Sequence, residues 1–85
     1  MIKETAMKKN VVMPSLKENM KEGVLCAWLK EEGEAYKKGD VLFEVETEKV
    51  VSQVKADSDG VIVKKFAEEG DSVDVNALVA EVIEN

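Results

Sequence analysis

Gly23-Val24-Leu25-Cys26-Ala27-Trp28-Leu29, followed by Glu31-Glu32-Gly33-Glu34, returns 37 residues later as Gly60-Val61-Ile62-Val63-Lys64-Lys65-Phe66 and Glu68-Glu69-Gly70-Asp71. The same offset puts Val41 on Leu78, Leu42 on Val79 and Glu44-Val45 on Glu81-Val82. Residues 23–47 against 60–84 give 7 identities in 25 pairs with no gap. Two β-hairpins with shared turn chemistry could match this way by chance. The alternative is a pair of similar half-domains related by a pseudo-two-fold axis.

Each half reads as β. Val24 to Leu29 and Val61 to Phe66 are strand-length runs opened by glycine. Val41 to Thr47 and Leu78 to Ile83 are the returning strands. Strict alternation places Phe43, Val45 and Thr47 on one face. Leu42 would then point outward unless a bulge intervenes, so alternation leaves the register open here. The Glu-Glu-Gly turns carry glycine where the backbone calls for positive φ. No segment shows a 3.6-residue apolar period of helix length. Short strands with regularly spaced turns indicate a small antiparallel barrel or sandwich.

Eighty-five residues make one domain with a modest core. Residues 1–9 show no clear period and read as an N-terminal tail, with the folded domain spanning residues 10–85. A net charge of −6 argues against nucleic acid and anionic membranes as partners. No apolar run approaches membrane-spanning length, and the N-terminus lacks a signal-peptide core. One cysteine cannot form an internal disulfide and fits a reducing compartment.

Few residues invite chemistry. There is no histidine, no metal-ligand cluster, no catalytic triad and no phosphate-binding loop. Glu31/Glu32 and Glu68/Glu69 flank turn glycines and read as solvated turn residues. Adjacent carboxylates alone do not make an acid/base pair, which needs convergence on a substrate. Cys26 aligns with Val63 and reads as a small apolar packing residue, since no cationic neighbour or helix N-terminus is visible to activate it. Trp28 reads as a packing residue.

Lys49 is the exception. The first half ends at Thr47 and the next strand candidate is Val50-Val51-Ser52-Gln53-Val54, leaving only Glu48-Lys49 between them. A two-residue hairpin loop favours type I′ or II′ turns, which call for Asn-Gly, Asp-Gly or Gly-X. Glu-Lys suits neither, whereas a type I turn tolerates these residues but fits strand twist less well. The local rule is therefore broken at one place. That is compatible with a tolerated surface turn or with a functional site.

Wider stretches carry a resemblance. Val11-Val12-Met13-Pro14-Ser15-Leu16, Glu22-Gly23, Trp28 to Gly33 and Lys38 to Lys49 resemble the lipoyl domain family, and so do Asp59 to Val63 and Glu68 to Val73. The match covers about residues 11–83. It implies an all-β flattened β-barrel (a barrel-sandwich hybrid) of two four-stranded antiparallel sheets with internal pseudo-two-fold symmetry. It also implies that the modified lysine at the hairpin tip is Lys49. The chain departs from the usual pattern in having Glu48 for Asp before the lysine, Val50 for Ala after it, Lys17 for Gly after Pro-Ser-Leu, and Asn76 for Gly late in the chain.

The resemblance implies a carrier with no catalytic residues of its own, in an acyltransferase or dihydrolipoamide dehydrogenase chain. A lipoate ligase or lipoyl transferase would attach lipoate to Lys49 as an amide. A thiamin diphosphate-dependent dehydrogenase of a 2-oxo acid or acetoin complex would reductively acylate the arm. An acyltransferase core would pass the acyl group to coenzyme A, and dihydrolipoamide dehydrogenase would reoxidise the dithiol. The loop Lys17-Glu18-Asn19-Met20 neighbours the lysine hairpin in that family. With Glu46, Glu48 and Val50 it is the expected partner-recognition surface. The isolated domain is expected to be monomeric, in a bacterial or archaeal cytoplasm or a mitochondrial matrix. Two alternatives are a biotinyl carrier domain of a carboxylase and an unmodified adaptor barrel. The first is disfavoured because Thr47-Glu48-Lys49-Val50 lacks the methionines that flank the lysine in biotinyl domains.

Overall fold

The valine-rich runs do become strands, and the 37-residue offset governs how they pair. The computed structural model describes residues 7–84. Its strands are β1 (Met7–Val12), β2 (Glu22–Trp28), β3 (Ala35–Tyr36), β4 (Val41–Thr47), β5 (Val50–Lys55), β6 (Gly60–Lys65), β7 (Ser72–Asp74) and β8 (Leu78–Glu84). They form two four-stranded antiparallel sheets, ordered β1-β8-β6-β3 and β5-β4-β2-β7.

The two orders superpose when β1 is exchanged for β5, β8 for β4, β6 for β2 and β3 for β7. The irregularities superpose as well. β2 shifts register between Leu25 and Ala27, at Cys26, and β6 shifts between Ile62 and Lys64, at Val63. β4 skips Leu42 in its pairing with β5, and β8 skips Val79 in its pairing with β1. Bulges at matched positions re-aim matched side chains. Leu42 and Phe43 are consequently both buried, which strict alternation forbids.

The halves are not independent hairpins. Each one sends a short strand into the opposite sheet: β3 pairs with β6 and β7 with β2. Gly33 N–H donates to Ile62 O at 2.7 Å, and Gly70 N–H donates to Leu25 O at 2.8 Å. The acidic turns join the same exchange. Glu69 accepts from Trp28 N–H and Glu32 accepts from Lys65 N–H, each at 2.8 Å. These carboxylates therefore cap strand ends of the opposite half as well as being solvated.

The core lies between the sheets, built on Phe43, Leu25, Val45, Ile62, Val79, Val82 and Met13, all essentially inaccessible to solvent. Each such side chain contributes roughly 1.5–3 kcal/mol by leaving water. Trp28 closes one end. Its ring lies 5.1 Å from Phe43, its indole N–H donates to Ala67 O at 3.0 Å, and the Lys65 ammonium sits 4.6 Å above it. Cys26 is half-buried at its bulge, and burial followed by the nearby Glu44 carboxylate pushes its thiol pKa up. That matches a packing role and opposes thiolate chemistry.

One boundary differs from expectation. Strand β1 starts at Met7, three residues before the expected domain start at Asn10, and Met7, Lys8 and Lys9 pair with Glu84, Ile83 and Val82. Lys8 and Lys9 form ion pairs with Glu81 and Glu84. Both faces of this edge strand start are exposed, so no apolar alternation marks it. Residues 1–6 of the expected tail lie outside the described residues.

Candidate functional site

β4 and β5 are the only consecutive strands, among the described residues, that lie in the same sheet. Every other connection crosses between sheets. The β4–β5 ladder runs through Val45↔Ser52, Glu46↔Val51 and Thr47↔Val50, so the strands stay paired up to the last residue before the turn. Glu48 and Lys49 alone close the hairpin.

Both turn residues have positive φ, 48° at Glu48 and 70° at Lys49. Positive φ at both central positions is the mark of a type I′ turn. Strand twist has thus prevailed over side-chain preference. A left-handed residue that carries a Cβ costs roughly 1–2 kcal/mol. Elsewhere the chain avoids this cost with Gly33, Gly39 and Gly70, or reduces it with Asn19 and Asn76. Asn76 lies at φ 74°, in the place equivalent to Gly39 at 92°, so it does the conformational work of the glycine it replaces.

The loop before β2 folds against this tip. Ser15 Oγ donates to Lys17 O and Met20 N–H donates to the same oxygen, both at 3.3 Å. Leu16 N–H donates to Met20 Sδ at 3.1 Å. An open cleft of about 520 Å³ lies between loop and hairpin, lined by Lys17, Asn19 and Met20 on one side and Glu46, Thr47 and Glu48 on the other. Gly23 forms its floor: a Cβ there would meet Val45 Cγ1 at 2.5 Å and Met20 Cε at 3.0 Å.

The expected site residues divide into three groups. Lys17, Asn19, Glu46 and Glu48 share the cleft beside Lys49. Glu18 and Val50 are exposed outside it, Val50 at 60%. Met20 touches the same cleft from below, but at only 9% exposure it belongs to the core cluster and chiefly anchors the loop. An apolar residue in an otherwise polar loop was the signal for that anchor.

Sequence reasoning missed one contact. Lys17 Nζ pairs with Glu48 Oε1 at 2.5 Å. The Lys17 ammonium, through its hydrogen bond and its charge, lowers the Glu48 carboxyl pKa below its ordinary value. Two of the departures from the lipoyl-domain pattern, Lys17 and Glu48, are therefore in contact with each other.

Chemically, the tip offers an exposed primary amine on a rigid two-residue turn. Among the described residues no group of His, Cys, Asp or Glu could hold a metal ion, and no helix is long and apolar enough to cross a membrane. The backbone at Lys49 is fixed by the ladder on both sides, so the reach of anything attached to Nζ is set by the side chain and the attached group.

Comparisons agree with this geometry. The family model Biotin_lipoyl, described as "Biotin-requiring enzyme", matches residues 9–82. A dihydrolipoyllysine-residue acetyltransferase component of the pyruvate dehydrogenase complex from Rhizobium meliloti (strain 1021) is 43% identical over 72 residues, covering 84% of this chain and 16% of that protein. The mitochondrial pyruvate dehydrogenase protein X component of Mus musculus is 41% identical over 75 residues, covering 87% and 15%. The solution structure of the lipoyl domain of the 2-oxoglutarate dehydrogenase complex from Azotobacter vinelandii matches with a TM-score of 0.76 at 34% identity, covering 89% of this chain and 96% of that one. The chain thus spans about a sixth of the length of these two curated relatives but nearly all of a solved lipoyl domain.

Proposed function

The chain belongs to the biotin/lipoyl attachment family as a lipoyl domain, and from that premise we propose that Lys49 is its lipoyl-lysine and that it serves as the mobile-arm carrier of a 2-oxo acid or acetoin dehydrogenase complex. The observation that carries the assignment is the type I′ turn at Glu48-Lys49, which holds an exposed amine at the end of the only same-sheet hairpin among the described residues.

The residues present fit the group. Acylation needs a lysine amine that a ligase can reach, and Lys49 is exposed. Amide formation replaces the lysine ammonium by a neutral group, so it removes one positive charge. Bound lipoate supplies a cyclic disulfide able to accept electrons together with an acyl group. The protein fixes the base of the arm through the β4–β5 ladder, and tethering raises the arm's effective concentration at each active site it can reach. Cys26, its thiol pKa raised, lies half-buried at its bulge and is a poor nucleophile for exchange with the arm.

In this reading the domain catalyses nothing itself. Its partners are a lipoate ligase or lipoyl transferase, a thiamin diphosphate-dependent dehydrogenase, an acyltransferase core and dihydrolipoamide dehydrogenase. Lys17, Glu18, Asn19, Glu46, Glu48 and Val50 form the surface these partners meet, and Met20 holds its loop in place from below. A bacterial cytoplasm or mitochondrial matrix supplies such partners.

Incubating the purified domain with a lipoate ligase or with a biotin ligase, each with its substrate and ATP, tests the proposal by intact mass. Lipoylation without biotinylation is expected, followed by acyl uptake from a 2-oxo acid dehydrogenase. Biotinylation alone, or no mass change on folded protein, overturns it.

A further inference from the structure

We propose that Lys17 is a positioning residue for Lys49: its ion pair with Glu48 holds the left-handed turn in place and joins the 15–20 loop to the hairpin tip, so that loop and lysine are presented as one surface. The proposal rests on the lipoyl-lysine reading for its consequence, but the structural part can be tested without modification.

Three observations support it. First, Glu48 occupies φ 48° without the side chain that makes this region tolerable. Gly, Asn and Asp adopt it readily, and Glu does not. The β4–β5 ladder imposes the turn against this preference, and a favourable contact made by the Glu48 side chain would offset part of the cost. Second, the Lys17–Glu48 pair is available to do this, and among the described residues neither member has another ion-pair partner. Third, both ends of the pair spring from fixed backbone. Met20, buried against Gly23, anchors the loop, and Lys17 O accepts from both Ser15 Oγ and Met20 N–H. The Thr47↔Val50 rung anchors the turn. Exposed ion pairs usually contribute little because two long side chains must be immobilised and because water screens them. Here Lys17 is 39% exposed and Glu48 82%, so the first of those costs is reduced on the lysine side only and the pair stays at the weak end of the range.

The pair also sets the local charge. Lys17 faces Glu48, while Glu46 and Glu22 line the same cleft without an ion-pair partner among the described residues. Lys21 lines the cleft as well, so a partner approaching Lys49 meets a compensated Glu48, the Glu22 and Glu46 carboxylates and the Lys21 ammonium.

A distinction follows between clamping and direct contact. Asp at position 48 suits positive φ better than Glu. Its carboxylate is one C–C bond, about 1.5 Å, shorter in reach. In a Glu48→Asp background Lys17 should thus have little left to hold. The experiment is a double-mutant cycle over Lys17→Ala and Glu48→Asp, with Lys17→Arg as the conservative rescue. Two quantities are read: kcat/KM for lipoate ligase, and backbone order parameters of Glu48 and Lys49 in the unmodified domain. In the native background, Lys17→Ala should lower kcat/KM by roughly 2- to 5-fold, the range an exposed pair can deliver. It should also lower both order parameters with only a small fall in Tm, as expected for an exposed pair, and Lys17→Arg should restore both. In the Glu48→Asp background the same change should alter kcat/KM by less than about 1.5-fold. Equal losses in both backgrounds would mean that Lys17 touches the partner directly, and would overturn the clamp. Unchanged order parameters in Lys17→Ala would overturn it too. A domain that no ligase modifies would overturn the lipoyl-lysine reading, and the order parameters would still decide the clamp.

Discussion

The framework turns and the hairpin tip meet the same backbone demand with different residues. Positive φ falls on Gly33, Gly39, Gly70 and Asn76 where the two halves interlock, and on Glu48 and Lys49 at the tip. At the framework the residue suits the conformation, and a Cβ at Gly33, Gly39 or Gly70 would meet nothing within 4 Å. Those turns are chosen for backbone freedom alone. At the tip the residues oppose the conformation and are kept in place by neighbours. Unfavourable local chemistry held by an over-determined surrounding is the pattern expected where function has set the residue.

The comparison breaks most readily at the framework. Gly70→Ala and Gly33→Ala should each destabilise by roughly 1–2 kcal/mol through the left-handed backbone alone. In a domain this size each kcal/mol lowers Tm by about 4–8 °C, which thermal unfolding followed by circular dichroism will show. If the two positions are related as the repeat implies, their losses should be alike. Markedly unequal losses would indicate that the turns differ in more than sequence.

A smaller effect of opposite sign is expected at the tip. Replacing Glu48-Lys49 by Asn-Gly supplies the residues a type I′ turn favours. Tm should rise by only about 4 °C, because the relieved backbone strain is partly offset by the greater unfolded-state freedom of Gly and by loss of the Lys17–Glu48 pair, while all modification at the site is lost. A fall in Tm would mean that the native turn is not strained and that the contrast with Gly33 and Gly70 is illusory.

The smallest effect is electrostatic. Lys17 holds the Glu48 carboxyl pKa below its ordinary value, and the backbone N–H of Lys37, reinforced by Lys30, does the same for Asp40 in a framework turn. A group whose pKa is lower folded than unfolded stabilises the fold above its unfolded value. That stabilisation disappears as pH falls through the folded value. Both turns should accordingly loosen in acid, below the ordinary carboxylate range. In Lys17→Ala the midpoint of Glu48 should move up while that of Asp40 stays in place, as NMR titration of the two side-chain carboxyl carbons would report. A joint shift would mean that Lys17 acts through the net charge of the domain.

Much of this was legible in the chain because the fold is a repeat. An offset of 37 residues located the equivalent strands and the acidic turns, and alternation along β4 pointed to a possible bulge at Leu42. The short crossing strands were not legible. Ala35–Tyr36 and Ser72–Asp74 hold two and three residues, too few to show alternation, and they pair with the opposite half. Lys8 and Lys9 concealed the start of β1, because an exposed edge strand needs no apolar face. At the site, Lys49 drew notice through turn chemistry, whereas the Lys17–Glu48 contact joins residues 31 positions apart and depends on how the loop folds back. Met20 read as a loop residue because its sequence neighbours are polar, but its side chain completes the core.

On the proposed reading, this tip serves to display one lysine. The chain has 12 lysines and no arginine, so attachment has many possible destinations. Peptide mapping by mass spectrometry of the domain co-expressed with a lipoate ligase, alongside Lys49→Arg, tests the claim most directly. Lipoate on Lys49 alone, with none on the folded Lys49→Arg protein, is the predicted result. Lipoate spread over other lysines, or modification that survives Lys49→Arg, would contradict it.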